Sequence, residues 1–282
     1  MQIIRKSAEL TEFSRAEKVS GKRIGFVPTM GALHDGHLSL VRESKKKCDI
    51  TIVSIFVNPT QFAPSEDLEK YPRPLEQDIA LLEKENTDIL FLPSVEEIYP
   101  EGFSSFVTVD KVTDGFEGAI RPEHFRGVAT VVSILFNITQ PDIAFFGQKD
   151  LQQAAVIKRM VKDLHVPITI EVCEIVREKD GLAMSSRNRY LSPEEREEAK
   201  ILSQTLAEVQ ADILSGLSIA DSKLRGVKYF DSLKKKAVLE YVDIVHPETF
   251  QLADSFKQQE EIAVVIAAKI GNTRLIDNIL VS

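Results

Sequence analysis

Ile24-Gly25-Phe26-Val27-Pro28-Thr29-Met30-Gly31-Ala32-Leu33-His34-Asp35-Gly36-His37 passes from an apolar run, through a glycine-bearing turn, into a helical pattern. The residues up to Pro28 read as a strand and Gly36 to Lys47 as a helix. Ile50 to Val57 is a nearly unbroken apolar and β-branched run, which suits a strand covered on both faces, as in a parallel sheet. The alternation continues outward. Pro74 to Lys84 reads as a helix with proline near its first turn. Ile89 to Leu92 reads as a strand, Val128 to Ile138 as a buried helix and Ile143 to Phe146 as a strand. Asp150 to Leu164 carries Leu151, Ala154, Ala155, Ile157, Val161 and Leu164 at helical spacing, and Ile168 to Cys173 closes the series. Strand then helix, repeated, predicts an α/β fold with a doubly wound parallel sheet.

The pattern changes near Val176. Ser192-Pro193-Glu194-Glu195 has the form of a capping box with proline at the first helical position, opening a helix that runs to about Leu214. A second helix follows from Ile219 to about Lys236, then strand-like runs at Val238 to Val245 and Ile262 to Ile270. These predict a smaller α+β domain over residues 176–282, after a larger domain over 1–175. No internal repeat or low-complexity segment is visible.

Lys and Arg total 35 against 43 Asp and Glu, a net charge of −8, which argues against a general nucleic-acid binder. A local cationic pocket for one phosphate ligand is still compatible with it. Cys48 and Cys173 match no metal or redox spacing and read as two reduced thiols. The first residues carry no signal-peptide pattern, and no segment approaches the ~18 apolar residues of a membrane span. The expectation is a cytoplasmic protein with no membrane partner.

Four segments carry chemistry. In the first, His34 and His37 lie three residues apart, so one helical turn puts both rings on one face at a helix N-terminus. Gly31 and Gly36 allow the backbone to turn tightly and approach a phosphate. Two imidazoles there suit a triphosphate whose charge shifts during reaction. A lone histidine would more often be structural, and no third ligand stands near for zinc. The second segment, Asn58-Pro59-Thr60-Gln61-Phe62, also follows a strand. It reads either as a plain turn or as a neutral polar pocket. Amide donors orient a nucleophilic carboxylate without the charge stabilisation of an arginine.

The third, Phe145-Phe146-Gly147-Gln148-Lys149-Asp150-Leu151-Gln152-Gln153, is again strand, glycine, helix. Lys149 can meet a phosphate as a mobile point charge, Asp150 a ribose hydroxyl, and Gln153 lies one turn on. The plain alternative is a capped surface helix. The fourth runs from Arg177 to Asn188, where Ser185 and Ser186 offer hydroxyls and Arg187 a planar guanidinium. It reads as a mobile junction loop able to close over a nucleotide, or as a solvated loop. Tyr71, Arg73, Arg121 and His124 are lesser candidates, Asp78 is a candidate for hydrated magnesium, and His165 and His246 read as structural. The P-loop, the dinucleotide glycine fingerprint and the hydrolase nucleophile elbow are all missing, which weakens those readings.

In this order the four segments resemble the pantothenate synthetase (pantoate–β-alanine ligase) family, from Ile24 to about Ile270. His34-Asp35-Gly36-His37 resembles the HIGH signature of the wider nucleotidylyltransferase superfamily. Met184-Ser185-Ser186-Arg187 resembles its KMSKS loop, although neither lysine of that signature stands here and Arg187 takes the place of the second. The resemblance implies a Rossmann-like first domain, a smaller second domain acting as a lid, a homodimer and Mg–ATP. It also implies two steps: pantoate and ATP give pantoyl adenylate, whose acyl carbon is then attacked by β-alanine to give pantothenate and AMP. By the same resemblance Met30, Gly31, Ala32, Leu33, His34, Asp35, Gly36 and His37 line the ATP site. Gly147, Gln148, Lys149, Asp150, Val176, Met184, Ser185, Ser186 and Arg187 complete it. Gln61 and Gln153, with Met30 and Asn58, hold pantoate, and Gln61 also meets β-alanine. His37, His34, Lys149 and Arg187 are the catalytic donors, and the assignment requires them to face one triphosphate.

Two rivals stand beside it. A nucleotidyltransferase that keeps the nucleotide on its product would share the HIGH-like and loop motifs, but its phosphorylated acceptor would call for cations where Gln61 and Gln153 are neutral. A nucleotide-sensing module would bind ATP without chemistry.

Overall fold

A computed structural model describes residues 1–62, 68–69, 71–257 and 260–282. By contact the chain divides into two compact units, Met1–Gly147 with Val156–Cys173, and Gln148–Ala155 with Glu174–Ser282.

The first unit is built on β1 (Gln2–Ile4), α1 (Ser7–Val19), β2 (Ile24–Thr29), α2 (Asp35–Lys47), β3 (Ile50–Ile55), α3 (Leu75–Lys84), β4 (Ile89–Phe91), α4 (Val95–Ile98), α5 (Phe116–Ile120), α6 (His124–Thr139) and β5 (Ile143–Gly147). Helix α7 (Leu151–Asp163) and β6 (Thr169–Cys173) follow, the first turn of α7 belonging to the second unit. The strands form one parallel sheet in the order β1-β4-β3-β2-β5-β6. Strand order therefore reverses between β2 and β5, the switch point where open α/β sheets bind ligands. Pairing between these two strands covers only Gly25 with Ile143 and Phe26 with Ala144, so their carboxyl ends are not hydrogen-bonded to each other.

Alternation along β2 explains the two layers of helices. Val27 joins Val53, Leu90 and Phe145 against Leu38 and Val41 of α2 and Leu82 of α3. Its neighbour Phe26 faces the other way and meets the Phe136 ring of α6 edge-on at 6.4 Å. Every residue of β3 is buried, as its unbroken apolar run predicts. Cys48 and Cys173 are free thiols. Burial pushes Cys48 up and Cys173 up to about 11, so both stay protonated near neutrality.

The second unit contains α8 (Pro193–Ala199), α9 (Ile201–Leu214), α10 (Ile219–Leu233), β7 (Val238–Val245), β8 (Ile262–Ile270) and β9 (Thr273–Val281). The three strands form an antiparallel sheet in that order. Ile262, Val264, Ile266, Ala268 and Ile270, alternate residues of β8, pack with Leu202, Leu206 and Val209 of α9 and Phe230 of α10.

The capping box at Ser192 and Glu195 is formed. The helix read as continuous to Leu214 is instead divided at Lys200, and no glycine or proline marks the break. Strand β9 is a third strand beyond the two expected, joined to β8 by the two-residue turn Gly271-Asn272 between Ile270 and Thr273. No helix among the described residues is long and apolar enough to cross a membrane.

Gly25 sets the distance between β2 and α2. A Cβ there would lie 2.2 Å from Ser44 Oγ and 3.0 Å from Cys48 Sγ. Gly25→Ala is expected to cost about 1–3 kcal/mol through overpacking and to lower the thermal unfolding midpoint by several degrees, followed by circular dichroism. An unchanged midpoint would mean that α2 shifts freely.

Candidate functional site

The loop between β2 and α2 is held from behind by one side chain. Asp78, on α3 and 1% exposed, accepts the Ala32 amide on Oδ2 and the Leu33 amide on Oδ1, both at 2.8 Å. Gly31 and Ala32 both have positive φ, 81° and 52°. A Cβ on Gly31 would stand 3.0 Å from Asp78 Oδ2 and 3.1 Å from Ile55 Cγ2, so both its φ and its surroundings call for glycine. Thr29 Oγ1 donates to the Ser54 carbonyl at 2.7 Å and accepts the Gly31 amide at 3.2 Å.

Two sequence readings change here. Asp78 is the anchor of this loop, with each carboxylate oxygen occupied by a buried amide, so the magnesium assignment is not carried to it. The amides of Ala32 and Leu33 turn to Asp78 and are not directed at a phosphate. His34 is the N-cap of α2, and its carbonyl accepts the His37 amide at 2.8 Å and the Leu38 amide at 3.1 Å. The His34 and His37 rings lie together, centroids 4.1 Å apart.

Gln61 ends a 3₁₀ turn, Pro59–Gln61, beyond β3. Its Nε2 donates to Met30 Sδ at 2.9 Å, which brings two of the residues assigned to pantoate together. Asn58 is 1% exposed. Its Oδ1 accepts from the Thr60 amide, Thr60 Oγ1 and the Tyr99 hydroxyl at 3.3, 3.0 and 2.8 Å. Its Nδ2 donates to Gln61 Oε1 at 3.2 Å and to the Gly127 carbonyl at 3.1 Å. Every polar atom of that amide is engaged inside the protein, so Asn58 orients Gln61 instead of reaching a ligand. Tyr99, absent from the sequence reading, closes this network, and burial holds its phenol above the ordinary value.

Arg121 and His124, minor candidates by sequence, meet at the Gln61 carbonyl. His124 Nδ1 lies 3.1 Å and Arg121 Nη2 3.4 Å from that oxygen, while His124 Nε2 is 3.2 Å from Arg121 Nη1. A guanidinium only donates, so in the neutral ring Nε2 accepts and Nδ1 donates to Gln61. Tyr71 packs edge-on against Phe62 at 5.9 Å, and Arg73 donates to the Leu68 carbonyl at 3.1 Å.

The remaining candidates stand on the second unit, apart from Gly147, the last residue of β5. Gln148–Asp150 forms a 3₁₀ turn leading into α7. Lys149 Nζ is 3.4 Å from Asp150 Oδ1, and Gln153 lies half-buried on the first turn of α7. The Met184 amide donates to the Val176 carbonyl at 3.0 Å and the Glu178 amide to the Leu182 carbonyl at 2.8 Å, with Gly181 (φ 89°) in the turn. Arg196 ties this hairpin to α8 through Glu178 and Asp180 at 2.6 and 2.9 Å. Ser185 Oγ caps the next 3₁₀ turn, Ser186–Tyr190, by accepting the Arg187 amide. The segment expected as a junction loop forms a hairpin followed by a capped turn, with the Arg187 side chain exposed.

A family model described as pantoate-beta-alanine ligase matches residues 2–280. The chain belongs to the pantoate–β-alanine ligase family. A pantothenate synthetase of Thermoanaerobacter sp. (strain X514) is 52% identical over 280 residues, 99% of this chain and 98% of that protein. Among solved structures, a pantothenate synthetase from Thermus thermophilus has a TM-score of 0.92 and 42% identity, covering 99% of both chains. A pantoate–β-alanine ligase from Francisella tularensis, complexed with β-γ ATP and β-alanine, has a TM-score of 0.79 and 36% identity, covering 99% of this chain and 97% of that one. Family membership sets aside the nucleotidyl-retaining and sensor alternatives.

If Asp78 is an anchor, Asp78→Asn replaces one acceptor with a donor facing a buried amide. That should cost about 1–3 kcal/mol and lower the thermal unfolding midpoint. The magnesium concentration giving half-maximal pantothenate formation should stay where it is. A moved magnesium midpoint would return Asp78 to the metal.

Proposed function

We propose that this ligase works through pantoyl adenylate. A carboxylate oxygen of pantoate attacks the α-phosphorus of ATP and pyrophosphate leaves with the electron pair of the broken P–O bond. The β-alanine amine then attacks the acyl carbon, AMP departs, and the nitrogen gives up a proton to form pantothenate. A free carboxylate cannot be displaced by an amine because its leaving group would be oxide or hydroxide, and joining it to AMP supplies a good one.

The observation that carries this reading is the paired His34 and His37 rings at the N-terminus of α2, beyond the switch-point strand β2. Such donors stabilise charge as it moves onto departing pyrophosphate. Lys149 and Arg187 supply further cations for the same triphosphate, with Ser185, Ser186, Gln148, Asp150 and Val176 on the nucleotide. Gln61, held by Asn58 and by the Arg121–His124 pair, and Gln153 orient pantoate, and Gln61 also meets β-alanine. Both are neutral, which aligns the nucleophile without blunting it.

Among the described residues no group of three or more His, Cys, Asp or Glu is placed to hold a metal ion. Asp78, the carboxylate the sequence offers for magnesium, has both oxygens engaged by amides and does not fit that role. Magnesium is assigned to the substrate as Mg–ATP, and no step is routed through it. A cytoplasmic homodimer remains part of the proposal.

The test is pantoate-dependent exchange of labelled pyrophosphate into ATP without β-alanine. The parent enzyme should exchange, and His37→Ala should slow adenylation by about 10²–10⁴-fold. Near-normal single-turnover adenylation in that variant would remove His37 from its role, and no exchange in the parent would remove the adenylate.

A further inference from the structure

Strand β9 supplies two adjacent side chains that hold both nucleotide segments of the second unit. Asn278 is 2% exposed, and its Nδ2 donates to the carbonyls of Gln148 and Lys149, each at 3.0 Å. Its Oδ1 accepts from Gln148 Nε2 at 3.1 Å. All of its side-chain hydrogen-bonding groups are therefore directed at the turn that presents Lys149. Asp277, 4% exposed, pairs with Arg177 in a two-pronged ion pair at 2.7 and 3.1 Å. Arg177 also donates to the Gly181 carbonyl at 3.1 Å and the Asn278 carbonyl at 3.3 Å. That guanidinium follows Val176 directly and braces the hairpin that leads to Met184 and Arg187.

The strand is well suited to hold a register. It pairs with β8 without a break from Thr273 to Val281. Side chains of adjacent strand residues point to opposite faces, so Asp277 and Asn278 address two different segments from one rigid backbone. Lys149 is a flexible point charge, and its reach to a phosphate depends on where its main chain is fixed.

We propose that Asn278 is a positioning residue for the nucleotide, acting through the main chain of Gln148 and Lys149, with Asp277 and Arg177 holding the second nucleotide segment to the same strand. The role of Asn278 rests on the reading that Lys149 meets a phosphate of ATP. Its removal leaves the lysine in place chemically but loosens the turn, and a displacement of about 1 Å costs up to 10²-fold in rate.

The test is a double-mutant cycle on pantoate-dependent pyrophosphate exchange, with circular dichroism and thermal unfolding as folding controls. Asn278→Ala should lower kcat/KM for ATP by about 10- to 100-fold while the KM for pantoate moves by less than about 3-fold. In the Lys149→Ala background the same change should cost less than about 3-fold, because the group it positions has gone. If Asn278→Ala does not fold, Asn278→Ser, which keeps one donor, enters the same cycle with a smaller expected loss. Unchanged ATP kinetics in a folded Asn278 variant, or losses that multiply in the double variant, would overturn the positioning role while leaving Lys149 at the phosphate. A Lys149→Ala enzyme with normal exchange would instead remove the phosphate reading itself, and the role of Asn278 with it.

Discussion

A buried carboxylate holding two main-chain amides is the interaction on which the first unit's site depends. Asp78 fixes Ala32 and Leu33 from behind, and so helps to hold the left-handed backbone at Ala32, where a side chain makes that conformation costly. The pair of acceptor oxygens matters. An ionised carboxyl accepts on both oxygens, whereas an amide of the same shape presents a donor to one of the two N–H groups. With the loop so held, α2 begins at Asp35 and the His34 and His37 rings come together over its first turn. The carboxyl lies behind the loop, where its two oxygens serve the fold, while the imidazoles stand at the positive end of a helix dipole.

The second unit solves the same problem with a neutral side chain. Asn278 donates to two successive carbonyls, the complement of what Asp78 does with two successive amides. In each unit a residue distant in sequence grips the main chain of a short segment, and the segment that carries the paired histidines or Lys149 is fixed through its backbone. Lys149 keeps an ion pair with Asp150 at 3.4 Å, and the turn that carries it is fixed through its main chain. Gln61 is held at both ends, its carbonyl by Arg121 and His124 and its side chain by Asn58 and Met30.

Much of this architecture was legible in the sequence. The continuous apolar run at Ile50 and the helical spacing from Leu151 specify a buried parallel sheet with covering helices, because period and burial are properties of the residues themselves. The paired histidines and the turn at Gly147 were legible as strand-to-helix junctions. Asp78, Asn58 and Asn278 were not. A polar residue that bonds a main-chain group leaves no pattern of spacing, since its partner can be any residue type. Asp78 looked like a metal ligand and Asn58 like a substrate ligand because type alone does not say which way a side chain is turned. The hairpin at Val176 is illegible for a related reason: a single bridge, Arg177 with Ala183, is too short to carry an alternation, and only Gly181 hints at the turn.

The missed strand β9 shows where sequence reading runs out. Thr273 to Val281 alternates imperfectly because Asp277 and Asn278 sit side by side and are both buried. Judged by apolar pattern, that pair weakens the case for a strand. Judged by energetics, it strengthens the case for a function. A buried aspartate costs several kcal/mol to desolvate unless an arginine and further hydrogen bonds meet it. Burial does push Asp277 up, against the pull of Arg177. A sheet edge built only for stability would be served better by two apolar residues. Two consecutive buried polar side chains, each engaged with a different segment of the second unit, are explained by what they hold in place: Asn278 the turn at Gln148 and Lys149, Asp277 the hairpin at Arg177.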